Sequence, residues 1–436
     1  MGYFGKVSGA AGSLCSWLDL RHEQGHDVER FVETAVRHLH AVQRRVEALG
    51  PPAALAAREP IELDAIRALR PRGPRRLDAT LSDRELYDRM LGAWLGRAAG
   101  CMLGIPCEGM PKQAIRAAAR ALGQPYPLRD YWHLDPKPAA ADGKHYGLTP
   151  RRKFLKPHID RIGTDDDLTY TLLGLLILED YGVDFTTQDV GRAWLRYLPT
   201  ACTAERVALD NLRKGIEPPD TARIDNPFQE WIGADIRSDP WGYAAPGMPE
   251  VAATFAYRDA SVSHVMNGTY GEMFFSAAIA AAFVLDDVDE VLRVALSEIP
   301  RQCRTAATVK QAIRWCRRDA DWHTTTDRIL AAHAGMAGAH TLNNAALTVA
   351  GLLYGKGSYQ RTIALTVMGG VDTDCTGATA GSIVGAMLGA KRLPRKWTRP
   401  LGDRAESYII GHRRWRSSDV ARRFCRIAAQ VRDIYA

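Results

Sequence analysis

Four glycines spaced by four, Gly92, Gly96, Gly100 and Gly104, run through an apolar stretch, and a second set, Gly377, Gly381, Gly385 and Gly389, recurs near the other end of the chain. On a helix this spacing puts all four on one narrow face, so each set predicts a ridge bare of side chains. A glycine inside a helix costs roughly 0.5 to 1 kcal/mol relative to alanine, and eight cost about 4 to 8 kcal/mol, a large share of a domain's net stability. Something must offset that. The ridges predict close helix-to-helix approach, with neighbouring side chains filling the space where Cβ atoms are missing.

The rest of the chain also reads as helix. Val28, Phe31, Val32, Ala35, Val36, Leu39, Val42 and Val46 recur at spacings of three and four over residues 26 to 49, and Gly50-Pro51-Pro52 stops them. A short helical pattern, Ile61 to Leu69, precedes the Pro/Gly/Arg run 70 to 76, which cannot continue a helix. Residues 1 to 80 are therefore expected to form a helical extension and linker, and residues 81 to 436 the main domain. Ser82 and Glu85 make a capping box at the start of the first glycine helix. Further helical patterns fall at 166–181, 188–197, 271–285, 288–297, 305–317, 325–333, 342–353 and 359–367. Strand signals are sparse, so the expected class is all-α. Residues 220–250, rich in Pro, Gly, Asp and Trp without a period, read as a long functional loop.

Two acidic runs carry the chemistry. Gly163-Thr164-Asp165-Asp166-Asp167 precedes the apolar run 168–178. Thr164 stands where an N-cap belongs, and acids suit a first helical turn. Capping accounts for one or two of them; three adjacent carboxylates repel one another and point to a cation. Asp372-Thr373-Asp374 follows Gly369-Gly370. Residues i and i+2 share no helix face, so these two carboxylates converge only where a turn enters a helix. Asp and Thr oxygens are hard donors suited to Mg²⁺, Mn²⁺ or Ca²⁺. Glu108 lies where Pro106 breaks the first glycine helix.

LGAWLGRAAGCMLGIPCEG, GTDDDLTYTLLGLLILEDYG, NGTYGEMFFSAAIAAAF and GGVDTDCTGATAGSIVGAMLG occur in the order of the ADP-ribosylglycohydrolase family, which the chain resembles over about residues 85 to 405. The resemblance implies an all-α orthogonal array of helices around a central dinuclear metal site holding two Mg²⁺, with Mn²⁺ as a substitute. Thr164, Asp165 and Asp166 would hold one ion, Asp372 and Asp374 the other, with Asp374 shared and, with Glu108, catalytic. Asn267 and Gly268 match a family Asn-Gly at the ribose and diphosphate. Tyr270, Arg237, Asp239 and Tyr243 are expected to shape the substrate pocket, with His340 and Asn343 beside it; for His340, Asn343 and His264, capping or core roles are the competing reading, as packing is for Trp231 and Trp241. Two departures stand out. Cys375 occupies the place of a common hydroxyl ligand, a soft donor poorly matched to magnesium, and Thr376, about 100° further round a helix, is no substitute. Asp167 likewise replaces a common Thr. The implied activity is hydrolysis of a ribosyl C1–N or C1–O bond, in a small NAD- or nucleotide-derived molecule by preference, with an ADP-ribosylated protein, or a catalytically silent ADP-ribose-binding protein, as alternatives.

Composition adds exclusions. The formal charge is +7, but 46 of the 57 basic residues are Arg, and clusters such as Arg151-Arg152-Lys153 and Arg413-Arg414-Trp415-Arg416 lack the pattern of a nucleic-acid motif and read as solvated surface. No nucleic-acid partner is expected. The longest apolar runs fall short of the roughly 20 residues a spanning helix needs, and no secretory signal opens the chain. Eight scattered cysteines make no CxxC or Cys/His zinc pattern. A cytoplasmic protein with reduced thiols is expected, and its oligomeric state is not set by the sequence.

Overall fold

A computed structural model describes residues 3–78, 81–137 and 143–435. The chain divides into two compact units, Met1–Ala57 and Arg58–Ala436. In the first unit the expected amphipathic helix forms as Glu29–Glu47, preceded by a helix Tyr3–Glu23.

The second unit is built from helices. Its described strands are two-residue antiparallel ladders, Lys144–His145 with Thr149–Pro150 and Ala405–Glu406 with Arg414–Trp415. The expected helical patterns appear as Asp166–Tyr181, Thr187–Tyr197, Asn267–Ala282, Val288–Leu296, Arg304–Arg318, Trp322–Ala332, Thr341–Gly355 and Tyr359–Val367. None of the described helices is long and apolar enough to cross a membrane.

The two glycine helices, Asp83–Gly104 and Thr373–Leu388, lie antiparallel against each other. Their ridges meet backbone to backbone, not backbone to side chain as expected. A Cβ on Gly92 would come within 2.5 Å of the Gly385 carbonyl oxygen, one on Gly96 within 2.3 Å of that of Gly381, and one on Gly100 within 2.0 Å of that of Gly377. The capping box forms: Glu85 N donates to Ser82 Oγ at 3.3 Å and Ser82 N to Glu85 Oε2 at 3.0 Å. Dispersion across this dry seam offsets the helix-propensity cost of the glycines.

Residues 58–78 belong to the larger unit, although their Pro/Gly/Arg run suggests a linker. Arg70 pairs with Glu298 at 2.6 Å and Glu250 at 2.7 Å, and Arg75 pairs with Glu298 at 2.8 Å. Glu59, buried, pairs with Arg304 at 2.8 Å. The expected short helix forms as Leu63–Leu69 and buries Ile66 in the core, so apolar packing and these ion pairs together hold the segment down.

The segment 220–250 is likewise not an open loop. It winds into short helical turns, Asp220–Ala222, Asp235–Arg237 and Asp239–Ala244, and buries Trp241 and Tyr243 completely or nearly so. Trp241 Nε1 donates to Glu272 Oε1 at 2.8 Å and its ring stacks on Phe185. Its prolines and glycines serve tight packing; a Cβ on Gly242 would come within 2.6 Å of Ile279.

Candidate active site

The antiparallel seam brings the end of one glycine helix against the start of the other. Thr373 Oγ1 donates to the Gly104 carbonyl oxygen at 2.9 Å, satisfying an acceptor that the helix end leaves open. Two residues past that end, Pro106 sits in a single turn, Ile105–Cys107, and Glu108 follows. Arg151 braces this turn: it pairs with Asp135 at 2.6 Å and donates to the Pro106 carbonyl oxygen at 2.6 Å, so it is not the solvated side chain its basic cluster suggested. Gly109 N donates to Val371 O at 2.8 Å, tying the Glu108 turn to the residue before Asp372. Val371 has φ 62°, a left-handed conformation that is strained for a β-branched side chain.

The first acidic run arrives from Asp166–Tyr181. Its N-cap is Asp165, not Thr164, and Asp165 Oδ1 accepts from Asp167 N at 3.0 Å. Thr164 N donates to Thr149 Oγ1 at 2.9 Å, leaving the Thr164 hydroxyl free of backbone duty. Two partners of Asp165 escaped the sequence reading. His145 Nε2 lies 2.7 Å from Asp165 Oδ2, and the buried Cys101 thiol donates to Oδ1 at 3.2 Å. One ligand atom each of Cys101, Asp165 and Asp167 lies within 4.8 Å of the others.

Asp165, Asp167 and Asp374 are buried, Asp166 and Asp372 half-buried and Glu108 exposed at the rim, and the carboxylates repel one another across this short depth. Burial first, then the charges of Glu108, Asp372 and Asp165, push Asp374 well above the usual carboxylate range. Burial and Glu108 push Asp372 up to about 7. Burial and Asp165 raise Asp166, Asp167 and Glu108. Burial works against protonating His145, but the hydrogen bond and charge of Asp165 outweigh it and raise its pKa. Each of the five raised acids thus feels the charge of at least one other carboxylate of the two runs or of Glu108, which places both runs and Glu108 in one electrostatic cluster.

Among the described residues, Thr164 Oγ1, Asp167 Oδ1 and Asp374 Oδ1 are buried without a hydrogen-bond partner. Orphaned oxygens around crowded carboxylates are what a divalent cation would satisfy, and the donor set is oxygen-rich, so a hard cation fits. Behind them Arg97, fully buried, pairs with Asp239 at 2.5 Å and Asp167 at 3.5 Å and donates to the Asp167 and Ile236 carbonyl oxygens at 2.7 and 2.6 Å.

The other expected substrate residues sit elsewhere in the core. Arg237 is buried in an ion cluster with Asp259 at 2.6 Å, Glu205 and Glu272, under the Tyr170 and Trp194 rings. Asp239 reaches the acidic cluster only through Arg97, and Tyr243 hydroxyl bonds Ser382 Oγ at 2.8 Å. Asn267 is fully buried, donating to Glu59 at 2.6 Å and Glu230 at 2.8 Å and accepting from Thr305 N and Oγ1. Tyr270 hydroxyl donates to the Pro60 carbonyl oxygen, and a Cβ on Gly268 would come within 2.7 Å of Gln229 O. Asn267 and Tyr270 therefore bond to the segment after Ala57, and Gly268 packs against Gln229 and His264. His264, buried, bonds Ser263 Oγ at 2.8 Å.

His340 caps Thr341–Gly355 through Leu342 N, and Asn343 donates to Ala337 O at 3.0 Å. It is the next residue that reaches the site: Asn344 Oδ1 accepts from Asp372 N at 3.2 Å while its amide holds Gly338 O and His340 O. A cavity of about 420 Å³ opens beside these groups, lined by Glu108, Met110, Leu330, Ala339, Val371 and Asp372 among others. Thr376 hydroxyl is spent on Asp372 O at 2.9 Å, and Cys375 is buried.

The model of the ADP-ribosylglycohydrolase family matches residues 82–429. Among solved structures, an ADP-ribosylglycohydrolase-related protein complex is 21% identical, with 79% of this chain and 99% of that chain covered at a TM-score of 0.48. No curated protein matches the chain. The family match runs from the capping-box serine that opens the first glycine helix into the last helix, Ser417–Tyr435, and takes in both acidic runs and Glu108; the chain belongs to the ADP-ribosylglycohydrolase family of hydrolases acting on glycosyl bonds.

Proposed function

We propose that the chain is a Mg²⁺-dependent glycohydrolase that cleaves the ribose C1–N or C1–O bond of a small ADP-ribosyl or related ribosyl conjugate. The observation that carries this reading is the convergence of Asp165 and Asp374, buried, Asp166 and Asp372, half-buried, and Glu108, exposed at the rim, on one cluster with orphaned oxygens, beside a cavity of about 420 Å³. That volume is in the range of small-molecule pockets, which favours a small conjugate over a modified protein.

Thr164, Asp165 and Asp166 would hold one ion and Asp372 and Asp374 the second. Bound ions supply positive charge for the ribose hydroxyls and acidify a water. Glu108 faces the cavity from the cluster's rim, and its raised pKa suits a group that takes a proton from water and returns one to the leaving atom. Hydrolysis balances as the C1–N or C1–O bond breaks, a C1–O bond to water forms, and water's proton reaches the departing nitrogen or oxygen. His145 and Asn344 fix Asp165 and the Asp372 backbone; Arg97 neutralises Asp167 from behind.

Purified chain with Mg²⁺ is assayed against ADP-ribosyl-arginine, an ADP-ribosyl-serine peptide, NAD and simple nucleosides. Release of ribose or ADP-ribose from a small conjugate, abolished by Glu108→Gln and Asp374→Ala, is expected. Turnover of none of them, or turnover that Asp374→Ala leaves intact, refutes the reading.

A further inference from the structure

Asp235 opens the turn Asp235–Arg237, which packs against the helices that begin at Asp166, Asn267 and Thr373. It is 1% exposed, and neither carboxylate oxygen has a hydrogen-bond partner among the described residues. A buried carboxylate without a partner is among the costliest arrangements a fold can hold. Arg237, the cation whose charge acts on it, spends its guanidinium on Asp259, Glu205 and Glu272.

Space has been made for this group. A Cβ on Gly271 would come within 2.0 Å of Asp235 Oδ1. The same position would come within 2.6 Å of Thr341 Cγ2, on the helix whose Asn344 holds Asp372 N. Asp235 therefore lies where Asn267–Ala282 and Thr341–Gly355 meet, in a turn packed on the second glycine helix, whose position 375 lacks a hard oxygen donor.

We infer that Asp235 is the oxygen donor that replaces the missing hydroxyl at position 375, holding the Asp372-side divalent ion directly or through a water. This rests on the two-ion reading above and deepens it: the site keeps a hard-donor count suited to Mg²⁺ or Mn²⁺ by drawing a carboxylate from the segment 220–250 rather than from the helix itself.

The full chain is titrated with Mn²⁺ alone, counting bound ions by calorimetry and by electron paramagnetic resonance of the free ion. The wild-type chain is expected to bind two ions. Asp235→Asn is expected to keep one and weaken the other at least tenfold, and adding Cys375→Thr to recover most of that loss. Thermal melts supply a second readout: Mn²⁺ is expected to raise the Tm of Asp235→Asn, measured against its own melt in EDTA, less than it raises that of the wild type. A merely structural aspartate would change Tm in EDTA and leave the Mn²⁺ increment as it is. Two ions of unchanged affinity in Asp235→Asn, or an unchanged Mn²⁺ increment, overturns this inference alone. Fewer than two ions in the wild-type chain overturns the two-ion reading and this inference with it. Should Asp235→Asn fail to fold, Cys375→Thr alone must tighten the weaker ion, and no change there counts against the inference.

Discussion

Gly100→Ala adds one methyl group where a methyl has nowhere to go. The built Cβ lies 2.0 Å from the Gly377 carbonyl oxygen and 2.5 Å from its carbon. Carbon–oxygen contacts relax at about 3.3 Å, so the seam must open by about 1.3 Å. Both surfaces are helix backbone, with no flexible side chain to give way, so the cost falls at the upper end of the overpacking range, about 3 kcal/mol. Alanine's better helix propensity returns roughly 0.5 to 1 kcal/mol, leaving a net loss of about 2 to 2.5 kcal/mol. With about 2.1 cal/mol/K of unfolding entropy per residue, that is a fall of roughly 3 °C in Tm for the unit Arg58–Ala436. Urea unfolding followed by near-ultraviolet circular dichroism and scanning calorimetry measure it. Gly338→Ala is the control, because nothing lies within 4 Å of the position its Cβ would take, and it is expected to stay within about 0.5 kcal/mol of wild type. Because the seam sets Glu108 against Asp372, Gly100→Ala also weakens metal binding, whereas the control does not. Equal midpoints for Gly100→Ala, Gly338→Ala and wild type would refute the packing argument.

Arg97→Met strands Asp239 and Asp167 without their buried counter-charge and is expected to cost about 3 to 5 kcal/mol, read by urea denaturation; Arg97→Lys recovers little of it, because one ammonium cannot reach Thr171, two carbonyl oxygens and Asp239 at once. Asp372 titrates at about 7 in the folded metal-free chain and near ~3.9 when unfolded, so the folded state holds a proton that the unfolded state has already lost. Stability in EDTA therefore falls as pH rises from about 4 to about 7, and saturating Mg²⁺ flattens that fall, as melting curves across the range check. Removing residues 1–80 lowers Tm more than removing 1–57, because only the longer deletion loses the Glu59–Arg304, Arg70–Glu298 and Arg75–Glu298 pairs; scanning calorimetry of both truncations decides it.

The glycine ridges and the acidic runs announce themselves because their physics is local: a spacing of four needs only one helix, and adjacent carboxylates repel wherever they are. What the ridges pack against depends on two helices more than 250 residues apart, and the amino-acid pattern of either one is silent on its partner. Asp235 and His145 are single residues in aperiodic stretches, visible as site components only once burial and unpaired oxygens are seen. Asn267 shows the opposite difficulty. It stands where the family resemblance puts a substrate contact, yet its hydrogen bonds are consumed by Glu59 and Glu230, and Glu59 comes from a stretch whose composition reads as a linker. In the row His340 to Asn344 the residue that matters to Asp372 is the last, because a helical turn, not chain order, decides which amide faces the loop.

A repeat of identical glycines has no address of its own. Sliding one helix along the other by four residues would set glycine against glycine again, yet would carry Asp374 about 6 Å away from Glu108. The register must therefore be written at the ends and flanks of the seam: in the Thr373 hydroxyl on Gly104 O, in the Tyr359 hydroxyl on Gly96 O at 2.7 Å, and in Gly389, whose φ of 73° stops the second helix beside Asp88. Adhesion and alignment are thus separate duties in this protein, and a lesion in the second would leave a well-packed molecule whose carboxylates no longer meet.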